Sequence, residues 1–372
     1  MKLVIVSNAP LINKDGRWFA YGPYVKEMQI WAKYADEIAF CCPEWKHDNG
    51  LLISPIPFSI SKIFLLSDFN IKSGMSAFKA FFQSIYNLCV IFKAMLWADH
   101  IHLRCPGNVG LLGVIAQILF PHKVKTAKYA GNWDPNAKHP LSYRLQKTIL
   151  SNTFLTRKMN VLVYGHWLGS TKNVKSFFTA TYQESDKKEI LPRDLNTIIK
   201  IVFVGTLSSG KRPLYAIQLI EELLSKGLQI EMAMYGEGIE RKSLEKYISD
   251  NNLQQNVVLL GNQNVATIQK AYQESHFIVL PSQSEGWPKV IAEGMFWGCV
   301  PLATSVSCVP YMVNFGNRGI LLDIDLKSDV ANIQKLISNE ETYKMMALNG
   351  IEWSRKYTLD AFEQEIKLLL HS

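Results

Sequence analysis

Acidic side chains are scarce in the first half of this chain, and that absence is its first informative feature. Residues 123–175 hold ten Lys or Arg and a single acid, Asp134. Over residues 1–200 the count is 25 basic to 13 acidic, whereas residues 201–372 reverse it to 15 against 19. Such an asymmetry implies an anionic partner for the first half, either nucleic acid or an acidic membrane surface. No helix-turn-helix or other reader motif accompanies the basic stretch, which argues against nucleic acid. Cysteine is sparse too. The six thiols (Cys41, Cys42, Cys89, Cys105, Cys299 and Cys308) form no C-x-x-C pair and no metal-ligand spacing with His. Most lie in or beside apolar runs, as the reduced core thiols of a cytosolic protein do. Long apolar runs are missing as well: the best candidate, Ala80–Phe92, is 13 residues between Lys79 and Lys93. A spanning helix needs about 18 or more. Met1–Ser7 runs into Asn8-Ala9-Pro10 without the longer apolar core of a signal peptide, so it reads as a buried strand.

What is present is a globular composition, 48% apolar and 19% charged, which excludes a disordered, collagenous or coiled-coil chain. A length of 372 suits two domains. Buried-strand patterns fall at Leu3–Val6, Ile38–Cys42, His100–Leu103, Val124–Ala130 and Val161–Tyr164, then at Ile201–Gly205, Ile230–Tyr235, Val257–Leu260, Phe277–Leu280 and Val300–Ala303. Helical periodicity separates them, most clearly at Ser76–Trp97, where Phe78, Phe81, Phe82, Ile85, Leu88 and Phe92 share one face. Alternation of this kind gives parallel sheets covered by helices. Ten strands in two groups predict an α/β protein of two doubly wound domains, not one closed barrel. The boundaries are placed at residues 1–195 and 196–350, with a C-terminal helix over 351–372 expected to pack back toward the first domain. Charged, aperiodic Glu184–Lys200 reads as the hinge.

Ligands of open parallel sheets bind beyond the carboxyl ends of the strands. After Ile201–Val204 comes Gly205-Thr206-Leu207-Ser208-Ser209-Gly210-Lys211-Arg212-Pro213. A glycine-bearing turn into a helix, with two cations in its mouth, suits a diphosphate, although an ordinary strand–helix turn reads the same way. Arg212 after the G-K pair excludes a Walker loop. Gly236-Glu237-Gly238 and Gly261 end the next two strands in tight turns, again compatible with either reading. The segment after Phe277–Leu280 is more specific: Pro281-Ser282-Gln283-Ser284-Glu285-Gly286-Trp287-Pro288, then Glu293-Gly294-Met295. Pro288 suits the first helical position, which leaves Glu285 in the loop and Glu293 about a turn and a half into the helix. One crevice would then hold amides and a cation for a diphosphate, and carboxylates able to accept from sugar hydroxyls.

With Glu285 and Glu293 as an E-x7-E pair, the chain resembles the retaining glycosyltransferases of the GT-B fold, in their family-four group. The resemblance is specific over roughly residues 200–350. It implies two Rossmann-like domains facing a central cleft, a nucleoside-diphosphate sugar as donor, and no cofactor or metal. It implies that Glu293 holds ribose hydroxyls, that Glu285 binds the donor sugar, and that Gly286, Trp287 and Pro288 face the sugar and distal phosphate. Lys211 matches the pyrophosphate-binding Lys. The Arg that the family carries after Gly205 is Thr206 here, with Arg212 as a substitute, and Gly236, Gly238 and Gly261 match turns lining the base pocket. In the first half the resemblance assigns acceptor entry to the loop Asn8–Gly22, with Arg17, Trp18 and Gly22. The family's His before a Gly is replaced by Ala130, which leaves Asn132 and Asp134 as nearby polar candidates. Arg104, at a strand end, is a further cleft candidate.

Asp323-Ile324-Asp325 has the look of a D-x-D metal site, but it precedes a helix that Asp325 can cap. His166, after a strand, is either a general acid–base group or a structural residue. The expected activity is thus metal-independent transfer of a hexosyl group to a glycan or lipid-linked acceptor, with Lys211 and Glu285 as the catalytic pair. Other classes of the same fold are an acceptor-independent epimerase or hydrolase, separated by an acceptor-free assay, and a non-catalytic nucleotide-sugar-binding subunit. The basic first half and the apolar run Ser59–Phe69 place the expected protein in the cytoplasm, peripheral on the anionic inner leaflet. Surface-polysaccharide assembly, of lipopolysaccharide or capsule, would use such an enzyme.

Overall fold

The apolar runs pair as strands of two largely parallel sheets. The computed structural model describes residues 1–68 and 74–371, apart from the side chains of residues 74–81 and 371. Two units result, Met1–Phe177 with Glu363–Ser372, and Phe178–Phe362.

In the first unit the strands are β1 (Lys2–Val6), β2 (Leu11–Lys14), β3 (Arg17–Tyr21), β4 (Glu37–Trp45), β5 (Ile53–Pro55), β6 (Lys62–Leu66), β7 (His100–Cys105), β8 (Val124–Tyr129), β9 (Met159–Tyr164) and β10 (Val174–Phe177). The helices are α1 (Gly22–Ala32), α2 (Gly74–Trp97), α3 (Asn108–Ala116) and α4 (Leu141–Leu150). The parallel core runs β10-β9-β8-β7-β1-β4-β6, so the chain reverses its direction of travel between β1 and β7. Val4, Val6, Ile101, Leu103 and Ala127 are fully buried on these strands, and Ile91, Ala94 and Met95 of α2 pack on them.

Two features of this unit were not expected. Asn8–Gly22 is not a loop but the hairpin β2–β3, which turns at Asp15-Gly16 with both residues at positive φ. That is the two-residue turn whose twist matches paired strands. The apolar run Ser59–Phe69, expected as the membrane contact, contains a strand instead, since β6 pairs with β4 through Ala39–Pro43. Leu66 is buried, Ile63 and Phe64 are half-buried, and Leu65 alone of the strand's apolar residues is exposed. Phe69 lies outside the described residues, as do the side chains of Phe78 and Phe81.

The second unit is a six-stranded sheet, β11 (Ile199–Val204), β12 (Ile230–Tyr235), β13 (Val257–Gly261), β14 (Phe277–Leu280), β15 (Val300–Thr304) and β16 (Ile320–Leu322). All pairs are parallel and the order is β13-β12-β11-β14-β15-β16, the doubly wound arrangement with its switch point between β11 and β14. Its helices are α5 (Pro213–Ser225), α6 (Arg241–Asp250), α7 (Val265–Glu274), α8 (Lys289–Phe296), α9 (Val309–Met312), α10 (Leu326–Ile337) and α11 (Glu340–Ser354); α12 (Leu359–His371) follows.

The division falls at Phe177/Phe178 instead of residue 195, and the reason is local. Arg193 donates to the carbonyls of Tyr272, Gln273, Trp297 and Gly298, and Leu359 N donates to Tyr182 O. The segment read as a hinge, Glu184–Lys200, is therefore fastened to the second unit. At the other end, Lys33 and Tyr34 bond to Glu363, so residues from Glu363 onward group with the first unit.

Candidate functional site

The carboxyl edge of the second sheet is laced together by its loops. Gly205 N donates to Tyr235 O, Leu207 N to Glu237 O, and Gly236 N to Gly261 O. Loops this close leave no room for side chains. A Cβ on Gly236 would stand 1.9 Å from the Gly205 oxygen, and one on Gly238 would stand 2.1 Å from that of Leu207. Both glycines are thus explained by the approach of the neighbouring loop. Gly236→Ala, which adds this clash to a φ of +135°, should destabilise the unit by about 2–3 kcal/mol, read as a lowered thermal midpoint. Gly205 and Gly210 differ. A Cβ on Gly205 meets nothing nearer than 3.7 Å, and one on Gly210 meets nothing within 4 Å. The fold does not require their bareness, whereas close approach of a ligand to their backbone would.

Across the switch point, Gln283 N donates to Gly210 O, and the Arg212 guanidinium donates to Pro281 O. Arg212 caps α5 in the left-handed region, at φ 49°. Its side chain is a tie between the two loops. Lys211 Nζ lies 2.5 Å from Glu285 Oε1, with Lys211 about a third exposed and Glu285 nearly buried. Pro288 stands just before α8 and not at its first position, so Lys289 opens the helix and Glu293 is its fifth residue. Glu293 accepts from Thr181 Oγ1 at 2.6 Å and from the Tyr272 hydroxyl at 3.1 Å. Burial, and then the Glu293 charge, push the Tyr272 and Tyr182 hydroxyls upward. Each stays protonated and able to donate.

The loop after β15 supplies residues that the sequence did not single out. Thr304 Oγ1 donates to Ser282 O, while Ser307 Oγ and Cys308 Sγ both donate to Gly286 O at 3.1 Å. The Trp287 ring is buried against Trp353 and Tyr357, so only its backbone is available to a ligand. Cys308 is no nucleophile, since burial pushes its thiol up to about 12. Asp325 caps α10 by accepting from Ser328 N. Among the described residues no group of three His, Cys, Asp or Glu is placed to hold a metal ion.

In the first unit the candidates scatter. Gly22 is buried under the β5 segment, where a Cβ would meet Ser54 Oγ at 2.9 Å. Arg17 is exposed on the hairpin. Asn132 and Asp134 accept from the amides of Asp134 and Asn136 and so build consecutive turns. His166 is exposed in the loop after β9. Arg104 is paired with the mostly buried Glu27, and Lys128 reaches the same Glu27 oxygen at 2.9 Å. No motif announces this triad. Arg104 and Lys128 are register partners on β7 and β8, a relation visible only once the strands are paired.

These loops, cations and carboxylates sit where a doubly wound sheet binds a nucleotide. Residues 183–353 match the family of glycosyl transferases, group 1. An uncharacterized glycosyltransferase of Methanocaldococcus jannaschii is 31% identical over 134 residues, 36% of this chain and 38% of that relative. The match thus spans well under half of the relative's own length. Two solved structures align with the whole chain at 16% identity and a TM-score of 0.68. Anabaena HepE in complex with UDP and glucose is covered over 100% of its length, and the lipopolysaccharide outer core galactosyltransferase WaaB, in its apo form, over 99%. The fold is accordingly the α/β architecture of Rossmann-like domains found in GT-B glycosyltransferases, and the group 1 match coincides with the unit that carries Lys211, Glu285 and Glu293.

Proposed function

We propose that this chain is a retaining, metal-independent glycosyltransferase that moves a hexosyl group from a nucleoside-diphosphate sugar to a glycan acceptor. The observation that carries the reading is the Lys211–Glu285 pair across the switch point, beside the bare turn of Gly205 and Gly210 and with Glu293 on the helix that the Glu285 loop opens, in a segment that matches the group 1 family. Glu293 takes the ribose diol, held at the right angle by Thr181 and Tyr272. Glu285 takes hydroxyls of the sugar, and the amides of Gly286 and Trp287 with Lys211 take the diphosphate. In the reaction the bond from the anomeric carbon to the diphosphate oxygen breaks, and its electron pair leaves with the phosphate. The acceptor oxygen bonds to that carbon on the same face, and its proton passes to the departing phosphate. Catalysis is then chiefly the stabilisation of leaving-group charge by Lys211 and fixed amides.

The acceptor we assign is lipid-linked, in surface-polysaccharide synthesis, with the enzyme peripheral on a cytoplasmic anionic leaflet. Support comes from the acid-poor first half and from the lipopolysaccharide core named for a structural neighbour. Among the described residues no helix is long and apolar enough to cross a membrane.

The first test is thermal stabilisation by UDP, GDP and ADP. The matching nucleotide at 100 times its Kd adds about 2.7 kcal/mol. Glu293→Gln keeps the shape that Thr181 and Tyr272 pack against, yet should lose most of this stabilisation. Glu285→Gln should keep it and lose turnover. Equal nucleotide affinity in Glu293→Gln and wild type would refute the ribose role, and no shift with any nucleotide would refute the function.

A further inference from the structure

The outward side of α2 is as apolar as its inward side. Asn87, Ile91, Ala94 and Met95 face the core, while Phe82, Ile85, Tyr86 and Leu96 are each about half exposed along the opposite face. Ile115 of α3 and Leu119 of the turn after it, the latter 68% exposed, continue this surface. Between them runs an apolar groove of about 570 Å³, floored by Leu88, Phe92 and Ile118 and edged by Lys93. Surface helices of soluble chains do not ordinarily spend both faces on apolar residues.

The charge around this surface is mainly positive, with Asp99 beside Lys123 as the one acid at the end of α2. No Asp or Glu occurs in α2, α3 or α4, and between Asp99 and Glu184 the only acid is Asp134. Lys93 edges the groove, and Lys123 closes the end of α2 by donating to the carbonyls of Met95, Leu96 and Ala98. Gln117, beside Leu119, bonds to Leu155 O, which brings the next turn alongside. That turn carries Phe154, 71% exposed, with the Arg157 guanidinium 4.8 Å from its ring.

We infer that the outward face of α2, with Leu119 and Phe154, docks on an anionic lipid leaflet. Apolar residues enter the headgroup boundary, and Lys and Arg at the rim meet lipid phosphates. A second copy of the chain fits poorly, since two faces rimmed mainly by cations would repel. The inference deepens the peripheral association proposed above and rests on it, and it replaces Ser59–Phe69 as the contact.

The test is co-sedimentation with vesicles of phosphatidylcholine alone and of phosphatidylcholine with 30% phosphatidylglycerol, at low and high salt. Wild type should partition at least tenfold more to the anionic vesicles, and less at high salt. Leu96→Glu and Leu119→Glu, both at exposed positions, should each lose at least tenfold of that binding, whereas Ile239→Glu, exposed in the second unit, should lose none. Variants that bind like wild type would overturn this face and leave membrane association standing. A wild type that binds no vesicle would overturn both. A wild-type dimer that Leu119→Glu splits would assign the face to a second copy and overturn the lipid. Stabilisation by nucleotide, unchanged in these variants, keeps the transferase reading separately testable.

Discussion

Lys211→Ala should lower kcat by about 10²–10³-fold, the usual loss when one group that stabilises developing negative charge is removed. Lys211 lies on the turn into α5 and meets Glu285 from the loop after β14, so the pair spans the switch point of the sheet. The pair itself adds little to stability, because Lys211 is partly in water and such ion pairs are worth about 0–1 kcal/mol. The cost should therefore appear in turnover, with the far-ultraviolet dichroism and thermal midpoint close to wild type. Lys211→Arg keeps the charge but replaces a compact ammonium with a planar fork, and should recover only part of the rate. Kinetics with the donor that stabilises the protein check this. If KM rises while kcat holds, Lys211 serves ground-state binding alone. A Lys211→Ala protein with more than a tenth of the wild-type kcat would remove it from the mechanism.

The second unit was more legible than the first because its information is local. Five of its six strands are apolar runs broken by no more than one charge, Lys200 in β11 and Glu231 in β12, and Glu285 and Glu293 are eight residues apart on one loop and the helix it opens. Only β16 escaped, three residues with little pattern. The contacts that fix this segment were not legible: Thr181 reaches Glu293 across 112 positions, and Ser307 reaches the Gly286 carbonyl across 21. In the first unit, short edge strands carried the errors. Lys62–Leu66 reads as an apolar run without a partner until β4 pairs with it, because an edge strand buries one face and needs no strict alternation. The Asp15-Gly16 signal for a hairpin was present in the sequence, and its strands are only four and five residues long. Gly236 and Gly238 show the converse: glycines readable as ligand contacts are demanded by a neighbouring backbone.

Glu27→Gln should cost the first unit about 3–5 kcal/mol at neutral pH, the range for breaking one partner out of a buried ion pair. Arg104 and Lys128 stand side by side on β7 and β8, and Lys128 is only 1% exposed. Two cations held that close repel each other, and Glu27 of α1 is the carboxylate that both share. Burial alone would raise the Glu27 carboxyl, but Arg104 and then Lys128 hold it down to about 2. The folded value lies below the ordinary 4.5, so the ionised form favours the folded state. This contribution is complete above about pH 4.5 and drains away as pH falls toward 2. Hydrogen exchange in peptides covering β7 and β8 measures it locally, without assuming that the whole chain unfolds at once. The protection lost on Glu27→Gln should be large at pH 7 and much smaller at pH 3. Adding Arg104→Met to Glu27→Gln should restore part of the protection, because it removes one of the two facing charges and keeps the volume. A gap between wild type and Glu27→Gln that is equal at both pH values would mean that Glu27 acts through packing and not through its charge.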